Sequence, residues 1–465
     1  MILLALGGAL LMVRWKFSRA VLAAFLVLTS PGLSVAETLR DTLRSAYQNS
    51  GLLAQNRALL RAADEDVAGA TAALKPILSW SSQYAISGAS VIDPHSVSAS
   101  LRADWLLYDA GRSQLTVDAL KETVLATRQS LVGIEQNILM RAVNAHMNYR
   151  RAMEFSALRY ANVELIAQEL RAAKDRFEVG EITRTDVALA EARLASARAG
   201  LASAEGDLHR SVAEFWAAVG RNPGNVETPK SVPALPSSVD MAIAVARSQH
   251  PNLKQMQHVI AAAEINLKKA QLSDRLKVSL SAGLSISDGG SGLSESFTVT
   301  FGAPIYSGGA IASATRGLSA RRDAARAQLH VTQHGIVQTV RNAFVLLDVA
   351  RASGAATDRQ IKAATVAFRG VREEASLGAR TTLDVLNAEQ ELLDARASSI
   401  SASIDEQIAA YTVIASMGQL TATSLKLGVK TYDPTQYYNM VKTGPTEKSL
   451  EGQALTRVLK DLSNN

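Results

Sequence analysis

Apolar and polar residues alternate strictly over two stretches in the second half of the chain. Val278, Leu280, Ala282, Leu284 and Ile286 alternate with Ser279, Ser281, Gly283, Ser285 and Ser287. Phe297, Val299, Phe301, Ala303 and Ile305 alternate with Thr298, Thr300, Gly302, Pro304 and Tyr306. A period of two is that of a strand with one apolar face. Asp288-Gly289-Gly290-Ser291-Gly292 lies between the two runs, as a hairpin turn would. In the first half Val97, Ala99, Leu101, Ala103, Trp105 and Leu107 alternate with Ser98, Ser100, Arg102 and Asp104. Leu78, Trp80, Tyr84 and Ile86 mark a partner strand less cleanly.

The rest of the chain has helical periodicity. Ser113 to Glu178 and Ile311 to Ser376 contain no proline, and each is long enough for a helix of about 100 Å at ~1.5 Å per residue. A returning helix follows the first, with a heptad of Val187, Leu194, Leu201, Leu208 and Phe215. Beside it runs a stripe of small residues, Ala190, Ala197, Ala204, Ser211 and Ala218, repeated later as Ala388, Ala395, Ala402, Ala409 and Ser416. Small residues every seventh position let neighbouring helices approach closely.

The chain is written twice. At one constant offset Gly180 falls on Gly378, Asp186 on Asp384, Glu191 on Glu389, Leu194 on Leu392, Arg198 on Arg396 and Gly220 on Gly418. The same offset pairs Tyr108 with Tyr306 and Gly111 with Gly309. Nearer the start of each half the offset is two residues larger, which places a loop insertion between about Ala63 and Trp105. The resulting division is a first repeat over 37–222, a proline-rich linker over 223–237, a second repeat over 238–427 and a polar tail over 428–465. Each repeat reads helix, two strands, long helix, sharp turn, returning helix. The end of the tail, Lys442 to Asn465, reads as mobile, with a short helix around Leu455 to Leu462.

Residues 1–36 are a targeting segment. From Met12 onward a basic region (Arg14, Lys16, Arg19) precedes the apolar run Ala20 to Thr29 and the small residues Ser34-Val35-Ala36. That order is a secretory signal peptide with cleavage before Glu37, or an anchor if left uncleaved. Losing it removes three positive charges and no negative one, so the formal charge falls from +6 to +3, too little to imply a nucleic-acid partner. The composition, 47% hydrophobic and 20% charged, excludes both wholesale disorder and a polytopic helical membrane protein. The chain has no cysteine, which excludes disulfides, thiolate metal sites, Cys nucleophiles and a lipidated N-terminal Cys.

Strands of about ten residues can cross an outer membrane when tilted. Trp80, Trp105, Phe297 and Phe301 are candidate interface aromatics. Four strands cannot close a barrel, since the smallest single-chain outer-membrane barrels need about eight. Either the sheet packs on helices within one chain, or several chains contribute four strands each. An exported, cysteine-free chain favours the second.

The repeated order and the turn motifs VGEITRTDV and LGARTTLDVLNAEQ resemble the TolC-type outer-membrane efflux and secretion channels, over about Glu37 to Leu427. The tail's Tyr432-Asp433-Pro434 and Tyr437-Tyr438 resemble the family more weakly. The missing Cys is similar to the non-lipidated branch. The resemblance implies a mainly α fold with a small β part. Antiparallel helical hairpins would build a periplasmic α-barrel, and four strands per protomer would build a trimeric transmembrane β-barrel. It further implies a Gram-negative outer-membrane location, contact with outer-membrane lipid, and two protein partners: a periplasmic adaptor (membrane fusion) protein and an inner-membrane transporter. An elongated periplasmic coiled-coil scaffold without channel activity is the alternative.

The tip turns carry the candidate chemistry. Gly180 and Gly378 end the long helices, and Thr183-x-x-Asp186 and Thr381-x-x-Asp384 read as capping boxes opening the next ones. Capping alone accounts for these residues. In a rotationally symmetric assembly, however, Asp384 would also recur as a ring of like charge at the narrow end. By the resemblance, Arg380 and Asp186 match charged partners in a closing network, and Asp384 the aperture aspartate. Two positions depart from the family pattern: Ala375 stands where a gating tyrosine is found, and Asn387 where a second ring aspartate is found. Arg184 and Glu181 are further candidates for holding the tip closed.

No enzyme is legible. His330 and His334 have zinc-helix spacing but no Glu between them, and a solvated face explains them better. Glu191 and Glu389 read as residues of solvated helix faces, and no cofactor or metal is expected.

Overall fold

The computed structural model describes residues 37–86, 95–227, 233–288 and 292–463. The expected leader over 1–36 and the middle of the Asp288–Gly292 turn lie outside the described residues. Among the described residues two helices come first, α1 (Leu39–Asn49) and α2 (Gly51–Ala72), then strands β1 (Ile77–Ile86) and β2 (His95–Tyr108). The hairpin α3 (Arg112–Glu178) and α4 (Arg184–Val219) follows. The order then recurs as α5 (Val239–Gln249), α6 (Pro251–Gln271), β3 (Lys277–Ser287), β4 (Leu293–Gly302), α7 (Ala310–Ser376) and α8 (Thr382–Ser416). Two tail helices, α9 (Pro434–Val441) and α10 (Leu450–Ser463), close the chain.

Local signals set these boundaries. Thr38 and Asp41 form a capping box that starts α1, and the Ser50 hydroxyl accepts from the Leu53 amide to start α2. Both long helices have 67 residues and begin after a left-handed glycine, Gly111 (φ 82) or Gly309 (φ 86). At ~1.5 Å per residue they put the tip turns about 100 Å from the strands. Gly220 (φ 80) and Gly418 (φ 78) follow the returning helices in the same conformation.

The strands form one antiparallel sheet in the order β1-β2-β3-β4. Registers such as Trp80↔Leu101, Leu101↔Leu284 and Ala282↔Phe297 put the apolar sets of all four strands on one face. The opposite face is mostly serine and threonine. It carries one described ion pair, Arg102 Nε to Asp104 Oδ2 at 2.9 Å, and the Ser281 hydroxyl donates to Asp104 Oδ1 at 2.7 Å. The apolar face is uncovered: Trp80 and Phe297 are each 73% exposed. A register shift at Leu106/Tyr108 bends β2 beside the helices, and the Trp105 indole donates to the Leu74 carbonyl at 3.3 Å.

Strand β4 begins and ends earlier than the alternation predicts. It starts at Leu293 and stops at Gly302, so Ala303 and Ile305 alternate correctly yet lie outside it. Pro304 has no N–H to give a ladder. At the other end Glu295 interrupts the apolar set and hides the strand's start from a period-of-two reading.

The main core lies at mid-length, where α1, α3, α5, α7 and α8 meet around Leu139, Val143, Met147, Val340, Leu347 and Val413, all buried. The small-residue stripe of α8 is buried at Ala395, Ala402 and Ala409. Glu37 is pinned to the expected linker. Its carboxylate receives Arg221 Nη2 at 2.6 Å, Arg221 Nη1 at 2.9 Å and the Gly224 amide at 2.8 Å, and its own amide donates to the Asn225 carbonyl at 2.7 Å. The start of the tail packs against α2. The Tyr437 hydroxyl donates to Glu65 at 2.6 Å, Lys75 donates to the Thr443 carbonyl at 2.6 Å, and Tyr437 and Val441 are buried against Ala68. Its last helix starts at Leu450, well before the expected segment. Among the described residues no helix is long and apolar enough to cross a membrane.

The left-handed glycines differ in their surroundings. A Cβ at Gly418 would meet Pro251 Cδ at 2.7 Å and His250 Cα at 2.9 Å, whereas one at Gly180 (φ 77) meets nothing within 4 Å. Gly180→Ala should cost about 1–2 kcal/mol from the backbone alone. Gly418→Ala should cost clearly more, because the α8–α6 junction must also shift. Thermal unfolding in detergent checks this, and equal losses would contradict it.

Candidate functional site at the helical tip

Each helical hairpin turns through the same backbone device. At the end of α3 the Gly180 amide donates to the Phe177 carbonyl at 3.0 Å and the Glu181 amide to the Arg176 carbonyl at 2.9 Å. At the end of α7 Gly378 donates to Ala375 at 3.1 Å and Ala379 to Glu374 at 2.9 Å. Both are Schellman motifs, which need the positive φ that glycine adopts most easily. The capping boxes then open the returning helices. Thr183 donates its hydroxyl to Asp186 Oδ2 at 2.7 Å and its amide at 3.0 Å, while the Asp186 amide donates back to Thr183 Oγ1 at 3.3 Å. Thr381 and Asp384 repeat this at 2.8, 3.0 and 3.2 Å.

These bonds hold both aspartates in the charged form. The Thr381 amide, then its hydroxyl, with Arg380 nearby, lower the pKa of Asp384 below the ordinary Asp value, and the Thr183 hydroxyl and amide do the same for Asp186. Within one chain Arg380 pairs with neither aspartate: its Nε lies 2.8 Å from Glu374 Oε2. The first turn contains a charge-reversed counterpart, Arg176 Nε to Glu181 Oε2 at 3.1 Å. Each turn is thus closed upon itself, and Glu374, which the motif alone does not single out, is the charged partner of Arg380. Ala375 is buried in the apolar cluster that contains Phe368 and Val385.

Above the turns the two hairpins interlock. Leu386 of α8 joins Ile166, Leu170, Ala190 and Leu194 of the first hairpin, and Leu165 of α3 packs against the second. Arg193 of α4 donates to Asn387 Oδ1 at 3.1 Å, and Arg372 of α7 lies 3.2 Å from Glu169 of α3. Glu389 sits amid these contacts, 3% exposed, and accepts from Asn162 Nδ2 at 2.8 Å. The expectation that it stands on a solvated face is therefore corrected. Val385, Leu386, Leu392 and Leu393, three or four residues away on either side, are all buried, and that spacing is the signal that places Glu389 inside. Burial, and then the like charge of Glu169, raise its pKa to about 7. Glu191, by contrast, is exposed and pairs with Lys174 at 2.8 Å.

Of the four interface aromatics, Phe301, Trp105 and Trp80 lie within three residues of the helix-facing ends of their strands, and Phe297 stands further along the sheet. His330 and His334 are exposed on α7, and no cluster of three or more metal-binding side chains occurs among the described residues.

The Asp384 box has a pH signature. A lowered pKa means the cap is fully present above the ordinary Asp range and is lost as pH falls through the folded value. Thr381→Ala removes the hydroxyl's two bonds at every pH, at about 1 kcal/mol, and leaves the bond from the residue 381 amide to Asp384. Amide exchange in the first turn of α8 should accelerate roughly fivefold near neutral pH. An unchanged rate would mean the cap is dispensable.

Comparison with known proteins agrees with this architecture. The family model described as outer membrane efflux protein matches residues 42–221 and 242–419. Outer membrane efflux protein BepC of Brucella suis is 34% identical over 430 residues, which span 91% of this chain and 94% of that protein. Outer membrane protein TolC of Escherichia coli is 25% identical over 408 residues, covering 78% and 80%. The crystal structure of the Campylobacter jejuni CmeC outer membrane channel superposes with a TM-score of 0.74 at 15% identity, covering 88% of this chain and 90% of that one. The sheet, the paired 67-residue helices and the two capped turns are thus those of a channel rather than an enzyme, and the chain belongs to the outer membrane efflux protein family.

Proposed function

We propose that three copies assemble into one passive duct, with residues 1–36 removed as a signal peptide. The observation that carries this reading is the sheet. Its apolar face is uncovered, and among the described residues both β1 and β4 lack a partner on their outer side. In hydrocarbon an unpaired strand edge costs several kcal/mol per group, so open sheets do not stand there and closed barrels do. Pairing β4 of one copy with β1 of the next closes the barrel. It turns the apolar face to outer-membrane lipid and the serine face to the lumen. Trp80, Trp105, Phe297 and Phe301 then serve as lipid-facing aromatics, with those nearest the helices at the periplasmic boundary.

The hairpins of the three copies form the periplasmic wall of the same duct. Asp384 recurs three times around the axis at the tip, and Asp186 and Arg380 stand beside it. A few exposed charge contacts worth ~1 kcal/mol each make a closed end that docking energy can open. The partner supplying that energy is a periplasmic adaptor joined to an inner-membrane transporter, and the duct itself does no energy-consuming work. The two halves of the chain, 37–222 and 238–427, act as quasi-equivalent staves.

Planar-bilayer conductance of the mature protein tests this. Wild type should give a small, cation-preferring conductance. Asp384→Ala should reduce the cation-to-anion permeability ratio severalfold, because the ring charge acts at the narrowest point. Well-folded, membrane-extracted protein that forms no channel would contradict the duct and favour a scaffold.

A further inference from the structure

The tip contains one group that neither the turns nor the capping boxes use. Glu389 lies five residues beyond Asp384 and is buried where all four hairpin helices meet. The charges around it come from three other helices: Glu169 on α3, Arg193 on α4 and Arg372 on α7. Asn162 of α3 satisfies Glu389 Oε1, while Glu389 Oε2 is buried without a hydrogen-bond partner among the described residues. Arg372, whose charge acts to lower the Glu389 pKa, lies in an ion pair with Glu169 and is half exposed, so it offsets the burial only in part. Glu389 and Asn387 are the second hairpin's polar contacts to Asn162 and Arg193 of the first, at the height where Leu386 enters the first hairpin's core.

We propose that Glu389 is a proton-operated latch between the two hairpins, a positioning residue whose protonation holds the tip helices packed and whose ionisation loosens them. This rests on the reading of the tip as the closable end of a duct. For the tip to widen, α8 must move away from α3, and that movement brings Glu389 into water. There its carboxyl returns toward the ordinary value of 4.5, whereas in the packed state it is raised to about 7. The packed state therefore binds a proton more tightly than the separated one. Between those two values the separated state carries fewer protons, so the preference for packing falls as pH rises, and it levels off above about 7. Each pH unit inside the window changes the packed-to-separated ratio by up to about tenfold. Burial raises the threshold most, and Glu169, as a nearby like charge, makes the proton bind more tightly still. Arg372 and Arg193 act the other way.

The test measures bilayer conductance and amide exchange of α3 and α8 between pH 5 and pH 8 for wild type, Glu389→Gln and Glu169→Gln. Gln is neutral at every pH and keeps an oxygen for Asn162. Wild type should conduct more, and exchange faster around 162–169 and 386–392, as pH rises toward 7–8. Glu389→Gln should flatten both profiles at their acid-side level. Glu169→Gln should move the midpoint to lower pH while keeping the transition. A Glu389→Gln profile that follows wild type would overturn the latch, as would a Glu169→Gln midpoint that stays in place or moves upward. The exchange measurement does not need a conducting channel. A chain that never conducts but shows the pH-dependent exchange removes the duct and leaves the latch standing. A conducting channel with unchanged pH behaviour in Glu389→Gln does the reverse.

Discussion

The structure depends on a sheet that cannot stand alone. Four antiparallel strands with an apolar face and two open edges are unsatisfied in water, where the face is exposed, and in lipid, where the edges are. Only closure with further strands resolves both. The requirement reaches the helices directly: Gly111 and Gly309 join β2 to α3 and β4 to α7, so strands that go around an axis carry the helices around it too. The exposed strip of α7 at Val345, Leu346 and Val349 has the character of a surface that neighbouring copies cover.

A second constraint acts at the far end. Helices of 67 residues have to reverse within a few residues, and both turns do so with one left-handed glycine and a Thr–Asp box. The device is cheap, local and independent of the partner hairpin. That independence leaves the contacts between hairpins free to change while each turn stays intact. The contacts concerned are few, Leu386, Leu165, Arg193 to Asn387 and the Glu389 cluster, and they are far sparser than the mid-length core. A molecule rigid at its centre and lightly joined at its tip can open at one end without unfolding.

Most of this was legible in the sequence, for identifiable reasons. Strict alternation gave β2 and β3 closely, because a period of two explains Val97 to Leu107 and Val278 to Ser287. The glycine and Thr-x-x-Asp spacings gave the turns, because capping chemistry is local. What was hidden depends on tertiary context. Strand β4 was shifted by Glu295 and Pro304, the tail's packing on α2 has no local signature, and Arg380 found Glu374 across a turn rather than an aspartate in its own motif. Glu389 was misread because a charged residue on a helix is usually solvated, although its neighbours at three and four residues' distance point inward. The contacts between copies that the proposed barrel needs are beyond any single chain.

The most direct measurement is therefore the native mass of the detergent-extracted mature protein. The account predicts three chains, dissociating only with loss of the sheet. A single folded chain that inserts stably in membrane without copies of itself would contradict it, because its β1 and β4 edges would then be open in hydrocarbon.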